Sequence, residues 1–123
     1  MAILKLDWNK AFDAVHHDFL FRIMNKLGIP DLFINWVKIL YENCCSRISI
    51  NGMLSDVFPI MRSVRQGCPL SMLLYVIYQE PLYLRIKHNK SIIPPHLPNG
   101  WRICMQGYAD DSSVFISTEE SAV

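Results

Sequence analysis

The sequence contains no run of about 18 uncharged apolar residues, so nothing in it reads as a membrane-spanning helix. Its first residues lack a basic stretch leading into an apolar core and a small-residue cleavage site, so no secretory signal is read there. Neither sign of charge is in excess, because 12 Lys and Arg face 11 Asp and Glu. Domains that grip nucleic acid usually carry a basic surplus. Any phosphate-binding role must therefore rest on local clusters or on residues outside this chain. The cysteines Cys44, Cys45, Cys68 and Cys104 form no CxxC pair, and the histidines are not interleaved with them at zinc-like spacing. That argues against a structural zinc and for reduced cysteines in an intracellular protein, with cytoplasm and nucleus as the expected compartments. There is no internal repeat and no low-complexity segment.

What is present is a globular composition, 51% apolar and 19% charged, in a length of 123 residues that suits one domain or part of one. Residues 2–7, AILKLD, read as a buried strand ending in an acid. Leu20, Ile23, Met24 and Leu27 recur at helical spacing, with Gly28 as the stop. Pro30 and Asp31 open a second helix whose expected inner face is Phe33, Trp36, Val37 and Leu40. The period then changes to alternation around Arg47–Ile50, and Asn51-Gly52 is a strong two-residue hairpin signal. Val57, Phe58, Ile60 and Met61 supply the partner strand, so residues 44–61 predict a β-hairpin. A third helix is predicted with Leu70, Leu73, Leu74, Ile77 and Leu84 on one face and a kink at Pro81. Residues 89–100 are a proline-rich loop, and 101–107 and 112–117 predict two strands flanking a tight turn at 108–111. The fold class is α+β, helices packed on one face of an antiparallel sheet.

Three acids carry the chemistry. Asp7 ends one predicted strand, and Asp110 and Asp111 occupy the turn between two others. If those strands are neighbours, three carboxylates meet at one end of the sheet. Carboxylate oxygens suit hard cations such as magnesium, which takes one or two protein carboxylates plus substrate phosphates. Two such ions can activate an attacking oxygen and steady a leaving one. Adjacent aspartates are also common in solvated turns, and the spacing alone leaves that alternative open.

The segments DWNKAFDAVHHDFL (7–20), VRQGCPLS (64–71) and YADD (108–111) occur in this order, separated by GIPDLFINWVKILY (28–41), ING (50–52) and EPL (80–82). In this combination, spanning essentially the whole chain, the sequence resembles the reverse transcriptases of LINE-type (non-LTR) retrotransposons. The resemblance implies a partial reverse-transcriptase palm over residues 1–123, with fingers, thumb and endonuclease expected outside it. It implies an RNA-directed DNA polymerase that adds deoxynucleotides to a primer 3′-hydroxyl with loss of pyrophosphate. Two Mg2+ ions, for which Mn2+ could substitute, would be held by Asp7, Asp110 and Asp111. Phe12 matches the bulky residue beneath the incoming sugar that disfavours a 2′-hydroxyl. Gln66 and Gly67 match the block that meets the incoming nucleotide and the template. Arg65 could reach a phosphate or simply be solvated, and Tyr108 matches the residue packed near the primer end. His17 matches a family position for which a structural hydrogen bond is the expected role. The implied partners are an RNA template, a DNA primer, deoxynucleoside triphosphates and the remainder of a retrotransposon polyprotein.

The family usually has glycine where Ser63 stands, so strain is expected there, and proline where Met72 stands. Without fingers and thumb, this stretch alone is expected to have little or no polymerase activity. The alternative is a non-catalytic transposon remnant that keeps only a weak nucleic-acid-binding fold. A third reading, an RNA-templated RNA polymerase, is opposed by Phe12 and the VRQGCPLS block.

Overall fold

The computed structural model describes residues 1–108 and 110–117. Its elements follow the predicted order of strand, two helices, hairpin, helix, strand, strand. They are β1 (Ala2–Asp7), α1 (His17–Lys26), α2 (Asp31–Tyr41), the short strands β2 (Cys45–Ser46), β3 (Ser49–Ile50), β4 (Met53–Leu54) and β5 (Phe58–Pro59), α3 (Pro69–Lys87), β6 (Met105–Tyr108) and β7 (Asp111–Ile116). Every ladder is antiparallel, so the class is α+β. The chain forms two compact units, a helical unit of Phe12–Tyr78 and a sheet unit of Met1–Ala11 with Gln79–Val123. No helix among the described residues is long and apolar enough to cross a membrane.

In the helical unit, α1 buries Leu20, Ile23 and Met24 at helical spacing. Its end is a Schellman motif: Gly28 has φ +75, its N–H donates to the Asn25 carbonyl, and Ile29 N–H donates to the Met24 carbonyl at 3.1 Å. Leu27, expected on the inner face, is instead the C-cap and stays 43% exposed. The face of α2 also differs from the expectation. Ile34 and Val37 are buried, whereas Trp36 and Leu40 are exposed. Apolar residues run almost all the way round α2, so periodicity alone does not choose a face.

The hairpin is present but interrupted. β3 pairs with β4 around Asn51 and Gly52, both at positive φ as a type I′ turn requires, and β2 pairs with β5 further out. Between the two ladders, Ile48 N–H donates to Ser55 Oγ and Ser55 N–H donates to the Ile48 carbonyl. The partner strand is therefore two short pieces, and Val57, Ile60 and Met61 fall outside them. Pro59 cannot donate to a ladder, which limits pairing there.

On α3 the predicted face holds at Leu74, which is buried, but Leu73 and Leu84 are exposed and the other buried residues are Ser71, Tyr75 and Gln79. The helix continues through Pro81.

In the sheet unit the order is β1-β7-β6, with β7 in the centre. β1 was expected to be buried. It is an edge strand, and Ile3 and Leu4 are each 52% exposed. β6 is shorter than the predicted 101–107 and begins only at Met105. Along β7, Ser112 and Val114 are buried while Asp111 is exposed, the alternation of a sheet with one covered face. The Tyr83 side chain of α3 lies on that covered face. A Cβ built at Gly107 would land on the Tyr83 hydroxyl and within 2.8 Å of Cζ. Glycine is thus the residue that lets the tyrosine ring lie against the β6 backbone.

Gly107→Ala should therefore force Tyr83 or the strand to move. We expect a loss of about 1–3 kcal/mol, the usual scale of overpacking, read as a lower midpoint in urea unfolding.

Candidate active site

Strand register builds the site. Asp7, the last residue of β1, lies directly opposite Asp111, the first residue of β7. On the other side of β7, Asp111 lies opposite Tyr108 of β6. Directly opposed residues in antiparallel strands share a face. Asp7, Asp111 and Tyr108 therefore form one row across the sheet, on the face opposite Ser112. All three are exposed, Tyr108 at 82%. Asp110 sits in the turn immediately before β7 and is exposed as well. Ala109, the remaining residue of the predicted turn, lies outside the described residues.

Like charges directly opposite in a ladder disfavour the pairing. The Asp7–Asp111 opposition thus works against the sheet that creates it. Its donor chemistry fits a hard cation that takes one or two carboxylates and fills its other positions from substrate oxygens. Among the described residues, no group of three or more His, Cys, Asp or Glu side chains is gathered to hold an ion by protein ligands alone.

Behind the acidic row is a hydrogen-bonded cluster that sequence reasoning did not single out. Trp8 Nε1 donates to the buried Ser112 Oγ at 3.3 Å, Ser112 Oγ meets the Tyr83 hydroxyl at 3.0 Å, and that hydroxyl donates to Gln79 Oε1 at 3.3 Å. The available signal was a serine two residues before the inward Val114 of β7, facing a glycine on the neighbouring strand β6. Leu6, Ser112 and Gly107 form that next row.

The other predicted residues belong to the helical unit. Segment 12–16 runs antiparallel to 62–64: Val64 N–H donates to the Phe12 carbonyl at 2.9 Å, Ser63 N–H donates to the Val15 carbonyl at 2.9 Å, and His16 bridges to Arg62. This pairing brings Phe12 beside the chain that continues into Arg65, Gln66 and Gly67. The Phe12 ring is half-buried and stacks on Tyr75, centroids 4.8 Å apart. Arg65 and Gln66 are exposed. Gly67 has φ +82 with open space where a Cβ would stand, so backbone conformation rather than crowding calls for glycine. Cys68 follows, its thiol held below the ordinary range first by the Leu70 N–H and then by the Ser71 N–H at the start of α3.

Two expectations about neighbouring residues are met. His17 Nε2 donates to the Ser63 carbonyl at 2.8 Å, a structural bond. Ser63 is strained, with φ +108. The helical unit also carries an open groove of about 940 Å³, lined by His17, Phe21, Arg22, Lys38, Tyr41 and Tyr78 among others. None of the predicted site residues lines it.

Comparison with known proteins gives a consistent result. Residues 1–123 match the family described as reverse transcriptase (RNA-dependent DNA polymerase). The chain is 32% identical over 111 residues to the Transposon TX1 uncharacterized 149 kDa protein of Xenopus laevis, covering 90% of this chain and 8% of that protein. It is 32% identical over 80 residues to the retrovirus-related Pol polyprotein from type-2 retrotransposable element R2DM of Drosophila melanogaster, covering 65% of this chain and 8% of that protein. It is 29% identical over 118 residues to the RNA-directed DNA polymerase from mobile element jockey, also of Drosophila melanogaster, covering 93% of this chain and 12% of that protein. The chain therefore spans only about a tenth of the length of these relatives.

The opposed carboxylates yield a direct test. In chelator-treated protein at neutral pH, Asp111→Asn removes the repulsion across the ladder and should raise the melting temperature. A fall would show that the Asp111 carboxylate is a stabilising part of the bare sheet.

Proposed function

Because the chain belongs to the reverse transcriptase (RNA-dependent DNA polymerase) family, we propose that it is the palm part of an RNA-directed DNA polymerase of a non-LTR retrotransposon. The observation that carries this reading is the cross-strand row of Asp7 and Asp111, with Asp110 in the adjoining turn. A sheet that sets like charges face to face gains nothing in stability from doing so, and the arrangement makes sense when a cation joins them. The substrates are an RNA template, a DNA primer and deoxynucleoside triphosphates. The remainder of a retrotransposon polyprotein supplies the other modules.

Asp7, Asp110 and Asp111 would hold two Mg2+ ions, or Mn2+ in their place. When bound, such ions lower the charge on the transferring phosphoryl group and make the primer hydroxyl a better nucleophile. The protein's own contribution is positioning, the main lever in phosphoryl-type transfer. The two strand ends fix the spacing of Asp7 and Asp111. Phe12, held by its stack on Tyr75 and by the backbone bond to Val64, presents a rigid ring suited to excluding a 2′-hydroxyl. Gln66 would hydrogen-bond the nucleotide or template, and Gly67 would hold the loop in the left-handed conformation that lets backbone approach it. Arg65 would neutralise a phosphate, and Tyr108 would pack near the primer end.

Two experiments test the reading. In a Mg2+ or Mn2+ titration followed by thermal melting, binding to the folded state alone should raise the melting temperature. Asp7→Asn should abolish that rise, and an equal rise in the variant would refute the metal assignment. In primer extension on an RNA template, using the protein as its reading frame encodes it, Asp110→Asn should cost at least about a hundredfold in rate, the scale of losing one preorganised electrostatic group. Undiminished extension by the variant would remove Asp110 from the catalytic set.

A further inference from the structure

Among the described residues, no side-chain hydrogen bond on the exposed face of the sheet holds Asp7 or Asp111 in place. Asp7 and Asp111 are exposed, and each stands at the very end of its strand, where ladders fray. One residue further along the chain, on the covered face, both strands are tied together. Trp8 follows Asp7 and Ser112 follows Asp111, and the indole N–H of the first donates to the hydroxyl of the second.

The donor and acceptor inventory gives this cluster a direction. An indole N–H can only donate, so Ser112 Oγ accepts from Trp8 and has one hydrogen left. The Tyr83 hydroxyl donates to Gln79 Oε1, so it is free to accept that hydrogen. The chain therefore runs Trp8 N–H to Ser112 O–H to Tyr83 O–H to Gln79 Oε1, and each hydroxyl donates once and accepts once. It starts beside one acid, crosses behind the other, and ends on α3, a rigid helix. Gly107 completes the arrangement, because any side chain there would displace the Tyr83 hydroxyl.

We propose that Trp8, Ser112, Tyr83 and Gly107 are positioning residues for Asp7 and Asp111. Together they lock the two strand ends in register and fix the separation of the carboxylates from behind the sheet. The proposal rests on the reading of Asp7 and Asp111 as metal-holding acids. It adds that their affinity for the ion depends on a hydroxyl network that touches neither the ion nor the carboxylates. Bonds that orient metal-binding side chains typically matter by about 10–100-fold in affinity, and a less direct network should sit at the lower end of that range.

The test measures Mn2+ binding by electron paramagnetic resonance of the free ion, on the full chain. Tyr83→Phe removes only the hydroxyl and keeps the ring, and Ser112→Ala is the second variant should the first fail to fold. Ile23→Val, in the helical unit, serves as a control for mild general destabilisation. The expected result is Mn2+ binding weakened about tenfold by Tyr83→Phe or Ser112→Ala in protein that still melts cooperatively, with Ile23→Val unchanged. Unchanged Mn2+ affinity in either folded network variant overturns the proposal, as does an equal loss in Ile23→Val. Asp7→Asn separates the two levels. If it abolishes binding while Tyr83→Phe leaves it intact, the metal assignment stands and the positioning role falls. If wild-type protein binds no Mn2+, or Asp7→Asn binds as wild type does, both fall together.

Discussion

Strand β7 is hydrogen-bonded on both sides, and a slip of one residue against either neighbour would turn every one of its side chains to the other face. Asp111 would then point towards α3, and Ser112 would point to solvent. The acidic row exists only in the register that sets Ala2 against Ile116 at one end and Asp7 against Asp111 at the other. Among the described residues β1 and β6 are both edges, so the central strand carries the burden of alignment. It bears Val114 and Ser112 inward, one residue to anchor by packing and one to anchor by hydrogen bonding. The placing of the acids on the front face is thus a consequence of what is buried on the back.

The helical unit solves a different problem, that of holding a loop in a conformation its residues do not prefer. Ser63 occupies positive φ, where a side chain costs about 1–3 kcal/mol. Its backbone N–H is bonded to Val15, its carbonyl accepts from His17, and its hydroxyl donates to Asp13 Oδ1 at 3.2 Å. Each such bond contributes about 0.5–1.5 kcal/mol net, so together they offset the strain. His17 must present a hydrogen on Nε2 to make its bond, and it is further held by packing at 5.0 Å against the Tyr41 ring. A glycine at position 63 would relax the backbone but would give up the Asp13 contact. The serine therefore exchanges conformational ease for a tie between the segment bearing Phe12 and the segment leading to Arg65.

How much of this was legible in the sequence follows from which signals are local. The Asn51-Gly52 turn, the Gly28 stop and the Leu20, Ile23 and Met24 positions of α1 are local, and each was readable. The inner faces of α2 and α3 were not. On α2, Trp36 and Val37 are adjacent and equally apolar, so the pattern fits two rotations of the helix. On α3, the leucines at 70, 73 and 84 outweigh Ser71 and Gln79 in any hydrophobic count, yet the two polar residues are buried beside Leu74 and Tyr75 while Leu73 and Leu84 are exposed. The apolar run of residues 2–7 made β1 read as interior, whereas among the described residues it is an edge strand with Ile3 and Leu4 exposed. For the site, sequence placed Asp7 at a strand end and Asp110 and Asp111 in the turn between two others, whereas Asp111 is already the first residue of β7. Sequence could not say that β1 pairs with β7, since that pairing joins residues more than a hundred positions apart.

Ser112 shows why a buried polar residue can specify more than an apolar one. A buried hydroxyl is costly unless bonded, and here it is bonded on both sides. Among the described residues no buried side-chain nitrogen or oxygen is left without a partner. A valine at this position would pack acceptably in several slightly different alignments of the strands, because apolar contact has no direction. A hydroxyl between an indole N–H and a phenol is satisfied in one alignment only, and any shift leaves a buried group unpaired. The penalty for misalignment then falls where two carboxylates stand opposite each other against their own repulsion. Hydrophobic burial can hold the sheet together, but only a directional contact of this kind can resist the small displacement by which the two acids would move apart.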